Sequence, residues 1–495
     1  MSKKILLLNG TVAIEAEYKS QLIDEFKENP FIEVLPDLMT KENIIKELSY
    51  KVNINKEEIG YIKELKIGIL PKIYKVFKPL PIHIEIWNMI HSLIRQGYIA
   101  RNPFNPVYKK YLNSIGSKIN KKYYNLDANE VFRTTTQCGT LIGVSEMGKT
   151  TTVQRVISKI PQVIVHKEYK GINFTQIQVT WLKLEAPANG SIKALTLQFF
   201  DKLDNLLGTN NMERYVSKYL SVYAMIPILG QLSINIGLGL LVIDELQHLD
   251  KKSKEVMNYL VTLMNSFGVP ILLVGTPASY GMLQQEMRIA RRVSGNGAIV
   301  FNQMKNDKEF EIFLKGIWKY QWIRKKVKLT KEIIDVFYDK TQGISDLVIK
   351  LFVNIQKRAI ESGQEEITME LIDKVWNKEF KLVNPMVEAI RSNNVVKKMK
   401  FEDIQEIEVS KLVKKENKVI KDNNIDKEEK SKVDNNSSQN KSKEENTIKK
   451  IRISDLSNDD IRKIVLFGKK KNKTVYESLK DEGIIKSTDE IMEEI

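Results

Sequence analysis

Residues 140–150 read TLIGVSEMGKT and run directly into TTVQRVISKI at 151–160. Gly143, Gly148, Lys149 and Thr150 satisfy the pattern G-x-x-x-x-G-K-[ST]. The apolar run Thr140-Leu141-Ile142 precedes it, and Val153, Val156, Ile157 and Ile160 follow at helical spacing. The order is strand, loop, helix, which is the context a phosphate-binding loop requires. Glycines let the backbone N–H groups of Val144, Ser145, Glu146, Met147 and the first helical residues through Thr151 turn inward around phosphate oxygens. The helix adds its positive dipole end at the same place. In this arrangement Lys149 reaches the outer phosphates of ATP and the Thr150 hydroxyl holds Mg2+.

About a hundred residues on, LLVIDELQHLD occupies 240–250. Leu240 to Ile243 is a short apolar run of the kind buried in a parallel sheet, and it ends in Asp244-Glu245. An acidic pair at a strand end can serve as a helix cap. At this distance from a phosphate loop it reads as hydrolytic, with Asp244 holding the metal through water and Glu245 polarising the attacking water. A third strand, PILLVGTP at 270–277, carries Thr276 at its end; this is either a threonine ending a strand or, as its resemblance to the polar sensor of AAA+ ATPases implies, a hydroxyl that meets the attacking water or the γ-phosphate.

The rest of the chain is consistent with a multidomain ATPase. Its 495 residues are enough for two or three domains, and a hydrophobic fraction of 42% supplies core. Lysine and arginine number 78 against 62 acids, a net charge of +16, which points first to nucleic acid as a partner. The single cysteine, Cys138, excludes an intramolecular disulfide and a cysteine zinc cluster. Acids at Glu15 and Glu17 come too early for a secretory signal, so the expected location is cytoplasmic. The uncharged stretch from Tyr219 to Ile243 is long enough to cross a bilayer. Pro227, Gln231, Asn235 and three glycines interrupt it, and it leads into the acidic motif, so no membrane span is expected.

Short strands alternating with helical stretches across 126–300 predict an α/β fold with a parallel sheet. Residues 1–125 form a preceding block, expected to be a helical, partner-binding extension, in which IHIEIWNMIHSLIRQGY at 82–98 is an amphipathic helix. His83 and His91 lie two turns apart and make no metal pair. Residues 301–395 predict a small helical domain. Residues 411–450 contain 12 lysines, 8 acids and no aromatic, proline or glycine. That composition cannot offset its ordering entropy, so 396–450 is expected to be a flexible charged linker leading to a terminal interaction module at 451–495.

MRIARRVSGNG places Arg288, Arg291 and Arg292 near the end of the ATPase core. Such a cluster suits an arginine finger reaching a neighbouring subunit's nucleotide, with Arg291 or Arg292 preferred. GVSEMGKTTT, LLVIDELQHL, ILLVGTPAS followed by IARR, and TQGISDLVIKLF at 341–352 together resemble the AAA+ transposition regulators of the TnsC type, and more distantly TniB and MuB. The resemblance reaches upstream into ENPFIEVLP and GYIARNP and covers roughly residues 20–390.

The resemblance implies an AAA+ P-loop ATPase with a small helical lid that oligomerises on duplex DNA as a ring or filament. It also implies partners: a target-selector protein and transposase subunits, the latter meeting the C-terminal tail. DNA contact in that family resembles tracking of the phosphate backbone, for which Lys183, Lys193, Lys251, Lys252 and Lys254 are candidates here. The second-sensor arginine that many AAA+ proteins carry on the lid has no match in GISDLVIK, which offers only Lys350. A helicase loader or initiator shares the same core and basic surface, and a switch that never touches DNA is the third reading.

Overall fold

The computed structural model describes residues 3–120, 137–215, 222–279, 281, 283, 298–392 and 471. The chain divides into two compact units, Met1–Lys414 and Lys415–Ile495, and of the second only Lys471 is described. The linker and terminal module expected at 396–450 and 451–495 therefore lie, but for that residue, outside the described residues.

The first unit is built on two sheets. Its strands are β1 (Lys4–Leu6), β2 (Val12–Glu15), β3 (Cys138–Gly143), β4 (Val163–Tyr169), β5 (Ile172–Val179), β6 (Leu182–Glu185), β7 (Leu241–Asp244), β8 (Ile271–Gly275) and β9 (Ala298–Phe301). The central sheet has the order β6-β7-β8-β3-β9 and every neighbouring pair is parallel. Its strands alternate between two cores. Leu141, Val242, Leu272 and Val274 face one, while Ile142, Leu241, Ile243, Ile271 and Leu273 face the other. Successive strand residues point to opposite faces, and here both faces are covered, which is why these strands read as unbroken apolar runs.

The fifth strand, β9, and the second sheet go beyond what the periodicity predicts. The second sheet has the order β1-β2-β4-β5, with β2 parallel to β4 and the outer pairs antiparallel. The N-terminal block, expected to be helical, thus contributes two strands. β1 and β2 are only three and four residues long, too short for an alternation to register. Nor is this block a separate body. The helix Pro81–Ile99 lies against the central sheet, where Gly97 fits only because it has no side chain: a Cβ there would come within 2.1 Å of Pro270. Fully buried Arg101 ties the helix end to the carbonyls of Gly97 and Leu238, at 2.8 and 2.6 Å.

Beyond β9 the described chain is helical: Lys308–Trp318, Lys331–Thr341, Ser345–Ser362, Met369–Glu379 and Asn384–Arg391. The N-terminal block also grips these helices. Lys66, fully buried, pairs with Glu365, and the Trp322 indole donates to Glu58 at 2.7 Å. The apolar stretch after Tyr219 forms the helix Val222–Asn235 and then β7. Among the described residues no helix is long and apolar enough to cross a membrane.

Candidate nucleotide-binding site

The loop after β3 owes its shape to two glycines that act differently. A Cβ on Gly143 would sit 2.1 Å from the Phe301 carbonyl oxygen, so this glycine permits the close approach of β9. The Val144 N–H donates to that same carbonyl at 3.1 Å. Gly148 has open space around it but a φ of +87°, a left-handed conformation that turns the chain into the helix Lys149–Ile157. The Lys149 ammonium is buried and folds back over the loop, donating to the carbonyls of Gly143 at 2.7 Å and Val144 at 2.9 Å.

The acidic pair stands two strands away, because β8 lies between β3 and β7. That order aligns three strand tips: the loop on β3, Thr276 after β8 and Asp244 on β7. The Thr150 hydroxyl donates to Asp244 Oδ2 at 2.9 Å, and the Lys183 ammonium on β6 lies 2.8 Å from the same oxygen. Asp244 Oδ1 accepts the Glu245 N–H at 3.0 Å. Glu245 has a φ of +58° and an exposed side chain. Gln247 joins it to the middle strand: its amide nitrogen donates to Glu245 Oε2 at 2.5 Å, and its amide oxygen accepts the Thr276 N–H at 3.2 Å. Thr276 itself is buried, and its hydroxyl has no hydrogen-bond partner among the described residues.

The donors fit a hard divalent cation that shares its shell with water and phosphate. A hydroxyl and a carboxylate suit Mg2+, which keeps waters and substrate phosphates as its other ligands. Among the described residues no cluster of three or more His, Cys, Asp or Glu side chains would form an all-protein cage.

Beside the phosphate loop opens a cavity of about 530 Å3. One wall is the loop itself at Met147 and Gly148, a second is the N-terminal segment around Phe77, and the third is the lid at Asp346 and Ile349. Tyr50 and Phe77 exchange backbone hydrogen bonds at 3.0 Å, and the Arg155 guanidinium lies 5.4 Å and 4.7 Å from their ring centroids. Burial pushes that guanidinium's pKa below its ordinary value. The lid touches the loop directly, since the Ser345 hydroxyl and the Asp346 N–H both donate to the Glu146 carbonyl, at 3.2 and 3.3 Å. Partial burial raises the Glu146 carboxyl. Lys350 pairs with Asp346 one turn earlier; burial works against its charge, but Asp346 and Glu146 outweigh it and hold the amine above its ordinary range.

Of the residues expected to follow DNA, Lys183 is placed elsewhere. Its side chain is 16% exposed and engaged with Asp244 inside the cleft, because β6 runs beside β7 and ends at the same tip. Lys193 is half-buried in the first turn of the helix Ile192–Leu207. Lys251 and Lys252 fall in the short 3-10 helix Leu246–Lys252 and Lys254 in Ser253–Phe267, with side chains outside the described residues. Arg288, Arg291 and Arg292 also lie outside the described residues. Sequence reasoning missed Gln247, although it sits within the quoted acidic motif. It also missed Tyr50, Phe77 and Arg155, for which no local pattern exists.

Residues 133–283 match the family model described as the AAA domain. The chain carries an AAA domain and is an ATPase. No curated protein matches it. Similar solved structures include the ORC1 protein of Aeropyrum pernix in complex with DNA, at 14% identity and a TM-score of 0.36 over 67% of this chain and 83% of that one. The ORC2 protein of the same organism matches at 13% identity and 0.33, over 56% and 69%. Domain III of the Thermotoga maritima replication initiation protein DnaA matches at 12% and 0.30, over 56% and 94%.

Proposed function

We propose that this ATPase is a transposition regulator of the TnsC type, which assembles on duplex target DNA in its ATP state, receives a target-selection signal and recruits a transposase. The observation that carries the choice is the joint presence of VGTP at 274–277, ARR at 290–292 and TQGISDL at 341–347 around a phosphate loop and an acidic pair. The net charge of +16 supports duplex DNA as the surface on which it assembles.

In this reading ATP lies with its phosphates on the loop and its base in the cavity between Phe77 and Ile349. Lys149 moves from the loop carbonyls to the β- and γ-phosphates. Thr150 would hold Mg2+ directly and Asp244 through water, and the ion would supply positive charge against the phosphate oxygens. Glu245 takes the proton of the attacking water, Gln247 positions that carboxylate, and the free Thr276 hydroxyl meets the water or the γ-phosphate. Arg291 or Arg292 serves a neighbouring subunit's site, so hydrolysis depends on assembly. Lys193, Lys251, Lys252 and Lys254 remain the candidates for the DNA backbone. The boundaries at 125, 300, 395 and 450 mark the N-terminal extension, AAA domain, lid, linker and terminal module.

Glu245→Gln tests the reading. It keeps side-chain size and removes the charge that polarises water, so ATP should bind and persist while hydrolysis falls by about a thousandfold. With purified protein, duplex DNA, ATP and magnesium, the variant should dissociate from DNA far more slowly than wild type. Equal dissociation rates with hydrolysis abolished would falsify the coupling of ATP turnover to residence on DNA. A trapped complex that forms only when a replicative helicase is added would instead establish the loader reading.

A further inference from the structure

Asp244 is 4% exposed and its carboxylate is already fully engaged: Oδ1 takes the Glu245 N–H, and Oδ2 takes both the Thr150 hydroxyl and the Lys183 ammonium. A carboxylate this buried needs compensation, and a lysine at 2.8 Å provides it. The topology makes that contact possible. In the parallel pairing of β6 with β7, Lys183 stands opposite Val242 and Glu185 opposite Asp244. Lys183 therefore starts two residues short of the tip, about 6.6 Å back along the strand, a gap that the four methylenes of a lysine stem span. Its head arrives at the tip on the oxygen that faces Thr150.

Resting on the reading that Thr150 and Asp244 hold Mg2+, we propose that Lys183 is an internal counter-ion of the metal site, which neutralises Asp244 until a divalent cation displaces it. A dication held at Asp244 through water still stands close to the Lys183 ammonium, and their repulsion is poorly screened where the side chains are 16% and 4% exposed. Metal loading therefore drives the ammonium of Lys183 away from Asp244. The consequence is a site that is charge-balanced without metal and takes up the cation more weakly than its ligands alone would.

The test is Mn2+ binding, followed by electron paramagnetic resonance, to the full-length protein with a non-hydrolysable ATP analogue. Lys183→Met should bind Mn2+ about tenfold more tightly than wild type, since the competing charge is gone and the buried carboxylate is left to the metal. Lys183→Arg keeps the charge and should stay near wild type. Asp244→Asn should weaken binding at least about tenfold. If Asp244→Asn weakens binding while Lys183→Met matches or falls below wild type, Lys183 is not a counter-ion of the site, though the metal reading stands. If Asp244→Asn leaves binding unchanged, the metal reading fails and the inference with it. Melting in EDTA and in Mg2+ supplies a second readout for a fragile variant. Lys183→Met should gain more from the metal than wild type does, and equal gains count against the proposal.

Discussion

The two ends of the nucleotide cleft are made in different ways. At the phosphate end, Lys149 folds onto the loop after β3, Thr150 and Lys183 meet on Asp244 at the end of β7, and Glu245 and Gln247 carry the polar contacts on to Thr276 after β8. At the other end, the cavity walls come from residues 50–80, the phosphate loop and the lid, which are separated by up to three hundred positions in the sequence. There Arg155 is held against the rings of Tyr50 and Phe77, and the lid bonds to the loop through the Glu146 carbonyl. Once the sheet has formed, a strand tip fixes its last residues. A cavity assembled from three distant pieces exists only when all three have docked. The phosphate end should therefore distinguish ATP from ADP, while the other end should supply affinity common to both.

Lys149→Ala makes the sharpest break. Losing the charge-assisted bonds to the outer phosphates should weaken ATP by about a hundredfold and ADP by less, as read by titration of a fluorescent nucleotide. A uniform loss for both nucleotides would dissolve the distinction between the two ends. Phe77→Ala should act the other way: the backbone bridge to Tyr50 remains, and ATP and ADP should both weaken by about tenfold, with turnover at saturation unchanged. A loss confined to ATP would show that this wall senses the γ-phosphate after all.

Acid stability gives a smaller contrast. Three of the four histidines lie in the N-terminal block or the mixed sheet, and burial pushes His83 down to about 4, His91 to about 3 and His166 to about 4. They are neutral when folded and protonate more readily when unfolded. Between pH 6.5 and about 4 the unfolded chain thus binds more protons, and stability rises with pH across that window and is lost as pH falls. The melting temperature should drop by about 5 °C from pH 6.5 to pH 5, and His91→Gln should flatten the slope. An unchanged slope would mean that other groups govern acid unfolding.

The sequence by itself determined the central sheet's inner strands, the phosphate loop and the acidic pair. These are local patterns: an apolar run buried on both faces, then glycines, a lysine or carboxylates within a few residues of its end. The helix at 82–98 was legible for the same reason, since its period repeats over several turns. Only the tertiary structure decided the strand order that sets β8 between loop and acid, the joining of β1 and β2 to β4, and the cavity beside the loop. Lys183 shows the reason most plainly. In the sequence it is one of 78 basic residues and reads as a surface charge. The parallel register of β6 on β7 turns it into a partner of Asp244, 61 positions away, and no spacing along the chain encodes which strand lies beside which.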